Sequence, residues 1–427
     1  MPMKLVIPLS KTDDIFKVDL SKFYLLEKRQ VSELCLCIGL LLLYFGSLHP
    51  WFLWPLKELY PMPAACLLLT GYMVANSMKE SPCNRQDCFA AVFCYALLSF
   101  YVIISGSQNI NAYIINFFSI MAVFVLLKCN TGLLIRMMTI VAKVFALLLI
   151  PSIAGFIMYL MGFGLPHSSV VFGDNLYSFS NYYLFMVDDR SLMKLIPRFQ
   201  SVFLEPGHLG SATAVLLMTQ LGRWKKWWNV TLLVASVISF SLASYALLIA
   251  LSFLNLWVQR KNLVKKMVAV ALVIVAVAAC ATFYNGGDNL VNNLILARLE
   301  VDDRTGEMVG NNRVDEGFEK EYDKFITTSD AFFGRDMSKI PKGSGNSGYR
   351  VFIYQNGLVG LLLVILFYGI SFRAYGDIRY LLTGICISLL IFWIRGYPLW
   401  YSNFIPIFAT VYQKYAGSGV AMAKVKQ

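Results

Sequence analysis

Long runs of apolar residues alternate with short polar connections over most of the chain. A helix rises about 1.5 Å per residue, so about 20 apolar residues cross the roughly 30 Å hydrocarbon core of a bilayer. Because the runs have about this length and few charges, they predict an all-α polytopic membrane protein with about twelve transmembrane helices. The predicted spans are 31–49, 59–77, 89–105, 110–128, 138–162, 206–222, 227–240, 242–258, 265–284, 350–371, 379–395 and 398–415.

Two of the connections between these spans are long polar loops. One apolar block, 228–258, exceeds a single span, and we divide it near Phe240 and Ser241, where small residues allow a tight reversal. The predicted organisation is an N-terminal tail (1–30), spans one to five (31–162), a first large outer loop (163–205), spans six to nine (206–284), a second large outer loop (285–349), spans ten to twelve (350–415) and a C-terminal tail (416–427).

Lysine and arginine concentrate in both tails and in alternate short connections, whereas the intervening connections carry almost none. Short cytoplasmic loops collect these residues in membrane proteins. The alternation therefore predicts cytoplasmic N- and C-termini and places both long loops on the outer face. This orientation accounts for the formal net charge of +12, because the basic residues lie between apolar runs, and no nucleic-acid partner is expected.

The stretch RFQSVFLEPGHLG (198–210) ends the first outer loop and begins the sixth span. Pro206 suits the first turn of a helix, and Glu205 then lies at the positive end of the helix dipole. The alternative is that Glu205 only caps the helix and that Arg198 only anchors the chain among lipid headgroups. However, ionisable groups collected at a membrane edge are costly and tend to be functional. Arg198, Glu205 and His208 are therefore candidate catalytic residues.

Pairs of glycine residues lie at the start of two predicted spans. Gly207 and Gly210 begin the sixth span, and Gly357 and Gly360 begin the tenth. Glycine lets another backbone approach a helix closely. We expect the first pair to contact another helix or a ligand, and we favour close helix packing for the second pair.

The second outer loop contains the amphipathic stretch VDEGFEKEYDKF (314–325). Its apolar residues recur at helical spacing, and acidic residues fill the other face. The pattern predicts a helix that either lies on the membrane or over a cavity, or packs on the spans. Asn312 is a candidate cap, which would place Arg313 in the first turn. The apolar stripe comprises Val314, Phe318, Tyr322 and Phe325.

Several arginines lie in the outer loops or near the outer ends of spans. The planar guanidinium binds phosphate through two parallel hydrogen bonds and stays charged, so these residues suit a lipid-linked pyrophosphate. The alternative for each is an anchor among lipid headgroups. Tyr349 belongs to a dense set of aromatic residues at the outer boundary, where interfacial belts are expected and stacking on sugars is a further role. The candidate arginines are Arg198, Arg298, Arg313, Arg350 and Arg395.

The usual motifs of soluble enzymes are missing from the sequence. It has no phosphate-binding Walker loop, no dinucleotide fingerprint, no paired-histidine metal motif and no nucleophile elbow. We therefore expect no metal and no cofactor. Since ATP is absent outside the membrane, chemistry on that face would need a substrate that is already activated.

These motifs together resemble the O-antigen polymerase and ligase superfamily. The resemblance covers 198–363 and depends on an arginine followed by Glu-Pro-Gly-x-x-Gly at a mid-chain span, a tight helix pair, a large outer loop and a Tyr-x7-Gly-x-x-Gly span. Residues before about 160 agree only in hydropathy. Ligases of this superfamily carry a histidine near the end of the large loop. The corresponding stretch here, GNSGYRVFIY (345–354), has none, which favours a Wzy-type polymerase.

The resemblance implies a GT-C-like, metal-independent glycosyltransferase of the bacterial inner membrane. Such a polymerase joins oligosaccharide repeat units carried on undecaprenyl pyrophosphate, among membrane lipids and usually with a chain-length regulator as partner protein. It implies that Arg198 and Arg313 stabilise the leaving pyrophosphate, and that Glu205, or alternatively His208, accepts the proton of the acceptor hydroxyl. The secondary candidates for binding the substrate are Arg298, Arg350, Arg395 and Tyr349.

Two other functions fit part of the pattern. An O-antigen ligase would share the chemistry but attach finished polymer to a lipid acceptor. A lipid-linked oligosaccharide flippase or another transporter would also have about twelve spans and cytoplasmic ends. Flippases usually need ionisable groups deep within the spans, whereas here they concentrate at the outer edge and in the outer loops.

Overall fold

The computed structural model describes residues 20–56, 58–74, 85–105, 110–129, 131–172, 177–189, 197–220, 223, 225–259, 263–289, 291–301, 316–335, 348–373, 378–395 and 399–409. Over these residues the protein is mostly helical, and a helix lies in each of the predicted spans. The helices are α1 (Leu20–Gly46), α2 (Pro61–Val74), α3 (Arg85–Ser105), α4 (Ile110–Lys128), α5 (Thr131–Leu160), α6 (Pro206–Thr219), α7 (Trp227–Ile238), α8 (Leu242–Gln259), α9 (Leu263–Phe283), α10 (Glu316–Ile326), α11 (Asp330–Phe333), α12 (Gly348–Arg373), α13 (Ile378–Arg395) and α14 (401–409).

The apolar helices are those of a helical membrane protein. Four of the described helices, α4, α5, α9 and α12, are long and apolar enough to cross a bilayer. Other described helices are shorter than the roughly 20 residues that a bilayer needs: α2 and α6 have 14 residues each, and α7 has 12. The reversal predicted near Phe240 is confirmed: α7 ends at Ile238, Phe240 has a φ of 46°, and α8 begins at Leu242.

Helix α6 lies at the centre of the bundle. All its residues from Gly207 to Thr219 are buried, and it packs against α5, α7 and α8. On another side, the Tyr44 hydroxyl of α1 donates to the Ala212 carbonyl oxygen at 3.2 Å. A Cβ added at Gly210 would lie only 2.6 Å from the Cβ of Ser244 in α8. The close approach predicted at Gly210 is therefore confirmed, and the neighbour is a helix.

The first outer loop contains a small sheet, which the sequence analysis did not predict. Strands β1 (Ser168–Phe172), β2 (Tyr177–Asn181) and β3 (Met186–Asp188) pair in that order, each antiparallel to the next. Phe179 and Leu204 are buried together beneath it, with Trp54 packed against them. The protein is thus not wholly α-helical. Strands of three to five residues give too short an alternation to stand out beside long apolar helices.

Part of the second outer loop forms a separate hydrophobic core with the start of α12, here called the loop core. The predicted amphipathic helix is confirmed as α10, and its stripe packs on α12 rather than lying on the membrane. Val314, Asn312 and Arg313 lie outside the described residues. The buried side chains of the loop core are Phe318, Phe325, Ala331, Ile353 and Tyr354.

Helix α12 is broken at Gly357. The φ of 63° and ψ of −173° at this residue belong to a region that only glycine adopts readily. The backbone N–H of Arg335 donates to the Tyr354 carbonyl oxygen at 2.6 Å, so the loop bonds to a helix carbonyl beside the break. The close helix packing favoured for Gly357 is present: its nearest neighbour is the Phe332 carbonyl oxygen in the short helix α11, and the backbone nitrogen of Gly334 just after that helix is also close.

Replacing Gly357 with alanine is expected to destabilise the protein clearly. The new Cβ would lie 2.4 Å from the Phe332 carbonyl oxygen, and the backbone conformation itself disfavours a side chain by about 1–3 kcal/mol. The measurement is the melting temperature of the detergent-purified protein. Gly369→Ala is the matched control on the same helix, since a Cβ there meets nothing within 4 Å. Equal melting temperatures for the two variants would contradict the tight contact.

Candidate functional site

Two arginines from the two different long loops converge on the reversal between α7 and α8. The Arg198 Nε donates to the Ser239 carbonyl oxygen at 3.3 Å, and the Arg298 Nη1 donates to the Phe240 carbonyl oxygen at 3.4 Å. Arg198 precedes α6, whereas Arg298 lies in a short 3₁₀ helix, Ala297–Leu299. Both arginines are half-buried. The structure thus brings together two of the predicted phosphate-binding residues, here called the arginine pair.

The geometry of the reversal explains why cations collect there. The last carbonyl groups of α7 carry the partial negative charge of a helix C-terminus. The left-handed conformation of Phe240 turns the chain just beyond them. The Tyr245 hydroxyl donates to the Val237 carbonyl oxygen at the same turn, close enough for the charges of Arg198 and Arg298 to act on it. Two guanidinium groups and a phenol at one place suit an anionic ligand.

Glu205 and His208 form a second pair at the first turn of α6. Pro206 occupies the start of the helix as predicted, and Glu205 is the N-cap residue. The glutamate makes no capping hydrogen bond with its side chain, and its Oε2 lies 3.7 Å from the His208 Nε2. The glutamate side chain is 34% exposed, whereas that of the histidine is 8% exposed. The geometry therefore opposes a purely capping role and leaves the carboxylate within reach of a ligand.

Trp400 lies between two of the three histidines of the chain. Its ring centroid is 4.9 Å from that of His208 and 6.1 Å from that of His49, with both contacts edge-to-face. His49 also lies 6.3 Å from the ring of Phe172 in the small sheet. Trp400 is one of the aromatic residues expected at the outer boundary, and His49 was not among the predicted site residues. The scarcity of histidine is the one signal that could have singled out His49.

The arginine pair and the Glu205–His208 pair lie at the same end of α6 on different sides of the helix. Gly210 faces the reversal, since a Cβ there would lie 2.9 Å from the Ser239 hydroxyl oxygen. Glu205 precedes Gly210 by five residues, about 7.5 Å along the helix axis. His208 is two residues from Gly210 and so points to nearly the opposite side, toward Trp400. The start of α6 thus separates a cationic group from a carboxylate–imidazole group.

Arg350 and Tyr349, two predicted substrate-binding residues, lie at the loop core. The Arg350 Nη1 is 2.8 Å from a Glu319 carboxylate oxygen, and its guanidinium lies 5.7 Å from the centre of the Tyr322 ring. The Tyr349 ring stacks on Trp393, with centroids 5.0 Å apart. Burial raises the pKa of Tyr322 above its ordinary value, and the nearby Tyr349 adds to that shift. Arg350 therefore already has an anionic partner.

Arg335, which the sequence analysis did not single out, ties the loop core together. Its Nε lies 2.6 Å from an Asp330 carboxylate oxygen, and its Nη1 lies 2.9 Å from Glu321. The hydrogen bond with Asp330 raises the pKa of Arg335 above its ordinary value. The guanidinium also lies 5.5 Å from the centre of the Phe325 ring. These contacts all lie within the loop, so they indicate a structural role for Arg335.

Two further predicted site residues lie wholly or partly outside the described part of the chain. Arg313 lies outside the described residues. Arg395 is the last residue of α13, and its side chain also lies outside the described part of the chain. Within the described ranges, no three histidine, cysteine or acidic side chains are grouped so that they could hold a metal ion.

The chain matches no protein-family model, no curated protein and no solved structure. A function therefore has to be inferred from the residues and contacts above, together with the resemblance of the sequence motifs.

Proposed function

We propose that the chain is a membrane glycosyltransferase that polymerises oligosaccharide repeat units carried on undecaprenyl pyrophosphate, like the Wzy-type O-antigen polymerases. The observation that carries this proposal is the placement of two chemically different groups at one end of α6. The arginine pair suits a pyrophosphate, and the Glu205–His208 pair suits an acceptor hydroxyl. Glycosyl transfer between two lipid-linked substrates needs both.

The proposed reaction transfers a sugar chain from one lipid carrier to another repeat unit. The hydroxyl oxygen of the acceptor attacks the anomeric carbon of the donor and forms the new glycosidic bond. The bond from that carbon to the pyrophosphate oxygen breaks, and the pyrophosphate leaves with the electron pair. Arg198 and Arg298 stabilise its added charge, and Glu205 or His208 accepts the proton of the acceptor hydroxyl. The reaction as proposed uses neither metal nor cofactor.

The proposed setting is the inner membrane of a bacterium, with twelve spans in a GT-C-like arrangement. A helix in each predicted span and the alternation of basic connections support cytoplasmic termini and two large periplasmic loops. Helix α6 is shorter than the bilayer is thick, but it is enclosed by other helices, so its ends need not meet lipid. The resemblance adds a chain-length regulator as a proposed partner.

Deleting the gene is expected to change surface polysaccharide from a ladder of lengths to a single repeat unit on its acceptor. The measurement is a gel of the polysaccharide from the deletion strain and from the same strain complemented with the intact gene. Loss of all attached sugar, with long polymer still on the carrier lipid, would instead indicate a ligase. Accumulation of repeat units on the inner leaflet would indicate a flippase. An unchanged ladder would overturn the proposed function.

A further inference from the structure

An apolar groove runs between α8 and α9 and opens on the outside of the bundle. It is a shallow, open groove of about 330 Å³, and seven side chains from the two helices line it. Helix α9 is the least enclosed of the long apolar helices, with only 6% of its apolar window buried, so the groove faces the lipid. The lining residues are Leu248, Ile249, Ser252, Ala269, Val270, Val273 and Ile274.

The groove lies on the face of α8 that also carries Tyr245. Leu248, Ile249 and Ser252 follow Tyr245 by three, four and seven residues, which places all four on the same side of the helix. Along the axis of α8, the groove therefore begins about 4.5 Å beyond Tyr245 and ends about 10.5 Å beyond it. Tyr245 contacts the α7–α8 reversal, where Arg198 and Arg298 bond to backbone carbonyls.

We propose that the groove between α8 and α9 binds the isoprenoid chain of a polyprenyl pyrophosphate whose pyrophosphate lies at the arginine pair. This inference builds on the proposed function and identifies where the lipid carrier of the donor docks. The wall of the groove is apolar apart from Ser252, and the Ser252 hydroxyl already donates to the Leu248 carbonyl oxygen at 2.7 Å. An unsaturated hydrocarbon chain needs no hydrogen bonds from such a wall.

The charge at the end of the groove decides between lipid occupants. A pyrophosphate carries more negative charge than the single phosphate of a common phospholipid and presents more oxygens to a guanidinium fork. Two arginines therefore match the carrier lipid better than a bulk lipid.

Filling the groove is expected to weaken binding of the carrier lipid. Ala269→Phe places a phenyl ring in the groove, and it should weaken binding of undecaprenyl pyrophosphate to the detergent-purified protein about tenfold or more. Ala271→Phe is the matched control, because Ala271 is also exposed on α9 but does not line the groove. The measurement is native mass spectrometry with titrated undecaprenyl pyrophosphate, repeated with phosphatidylglycerol as competitor. Melting temperatures check that both variants fold.

The outcomes separate this inference from the proposed function. Weaker binding in Ala269→Phe alone, with no competition from phosphatidylglycerol, supports the groove as the carrier site, whether or not the protein makes polymer. Equal binding in both variants overturns the inference even if the protein proves to be a polymerase. Equally effective competition by phosphatidylglycerol also overturns it, because the groove would then hold ordinary membrane lipid.

Discussion

Replacing either Arg198 or Arg298 with alanine is expected to lower the rate of polymer formation about 100-fold or more, with normal amounts of folded protein. Both guanidinium groups meet at the α7–α8 reversal, where the proposed pyrophosphate leaves. The measurement is the length distribution of polysaccharide in a deletion strain that expresses each variant, together with a blot for protein level. Purified protein with a lipid-linked repeat unit would give the rate directly.

The size of the expected loss of activity distinguishes binding of the pyrophosphate from simple capping of α7. A cation at a helix C-terminus stabilises the helix by about 0.3–1 kcal/mol, so losing one would leave most of the protein folded and active. Arg136→Ala is the matched control, because Arg136 also pairs with a neighbour, Glu33 at 3.5 Å, but is 60% exposed elsewhere in the bundle. A wild-type ladder in either alanine variant at the reversal would reduce the replaced arginine to a structural group.

The local features near α6 could be predicted from sequence because they depend on short-range geometry. A proline fixes the start of a helix, and residues three apart lie on one helix face, so Glu205 and His208 had to be neighbours. Small residues around Ser241 likewise indicated the reversal between α7 and α8. These predictions needed no knowledge of how distant helices pack.

Contacts between distant segments could not be predicted in the same way. Arg198 and Arg298 meet because α6 packs against α7 and α8, while α9, which precedes Arg298, packs against α8. This packing brings two separate loops to one turn. The break at Gly357 depends on loop backbone that approaches from a different part of the chain. Arg350 carried the same chemical signal as Arg298, yet it pairs with Glu319 in the loop core. Residue type alone did not indicate which arginine lies at the reversal and which lies in the loop core.

Replacing Glu205 with glutamine is expected to reduce polymer formation about 100- to 10,000-fold, the range usual for loss of a general base. Glutamine has nearly the same shape as glutamate but does not accept a proton from a hydroxyl at neutral pH. The carboxylate is accessible, lies 3.7 Å from His208 and does not cap α6, so stability should change little. The ladder assay measures polymer formation, and the melting temperature of the purified variant measures its stability.

The choice between Glu205 and His208 as the base follows from a pair of variants and one control. If Glu205 accepts the proton, Glu205→Gln should lose far more activity than His208→Gln; the reverse order would assign that role to the imidazole and leave the carboxylate to orient it. Glu33→Gln is the control, because the two glutamates have similar surroundings. The Glu33 side chain is 35% exposed and lies 3.5 Å from Arg136, whereas the Glu205 side chain is 34% exposed and lies 3.7 Å from His208. Full activity in a double variant, Glu205→Gln with His208→Gln, would exclude both residues as the base, since neither could then accept the proton as proposed.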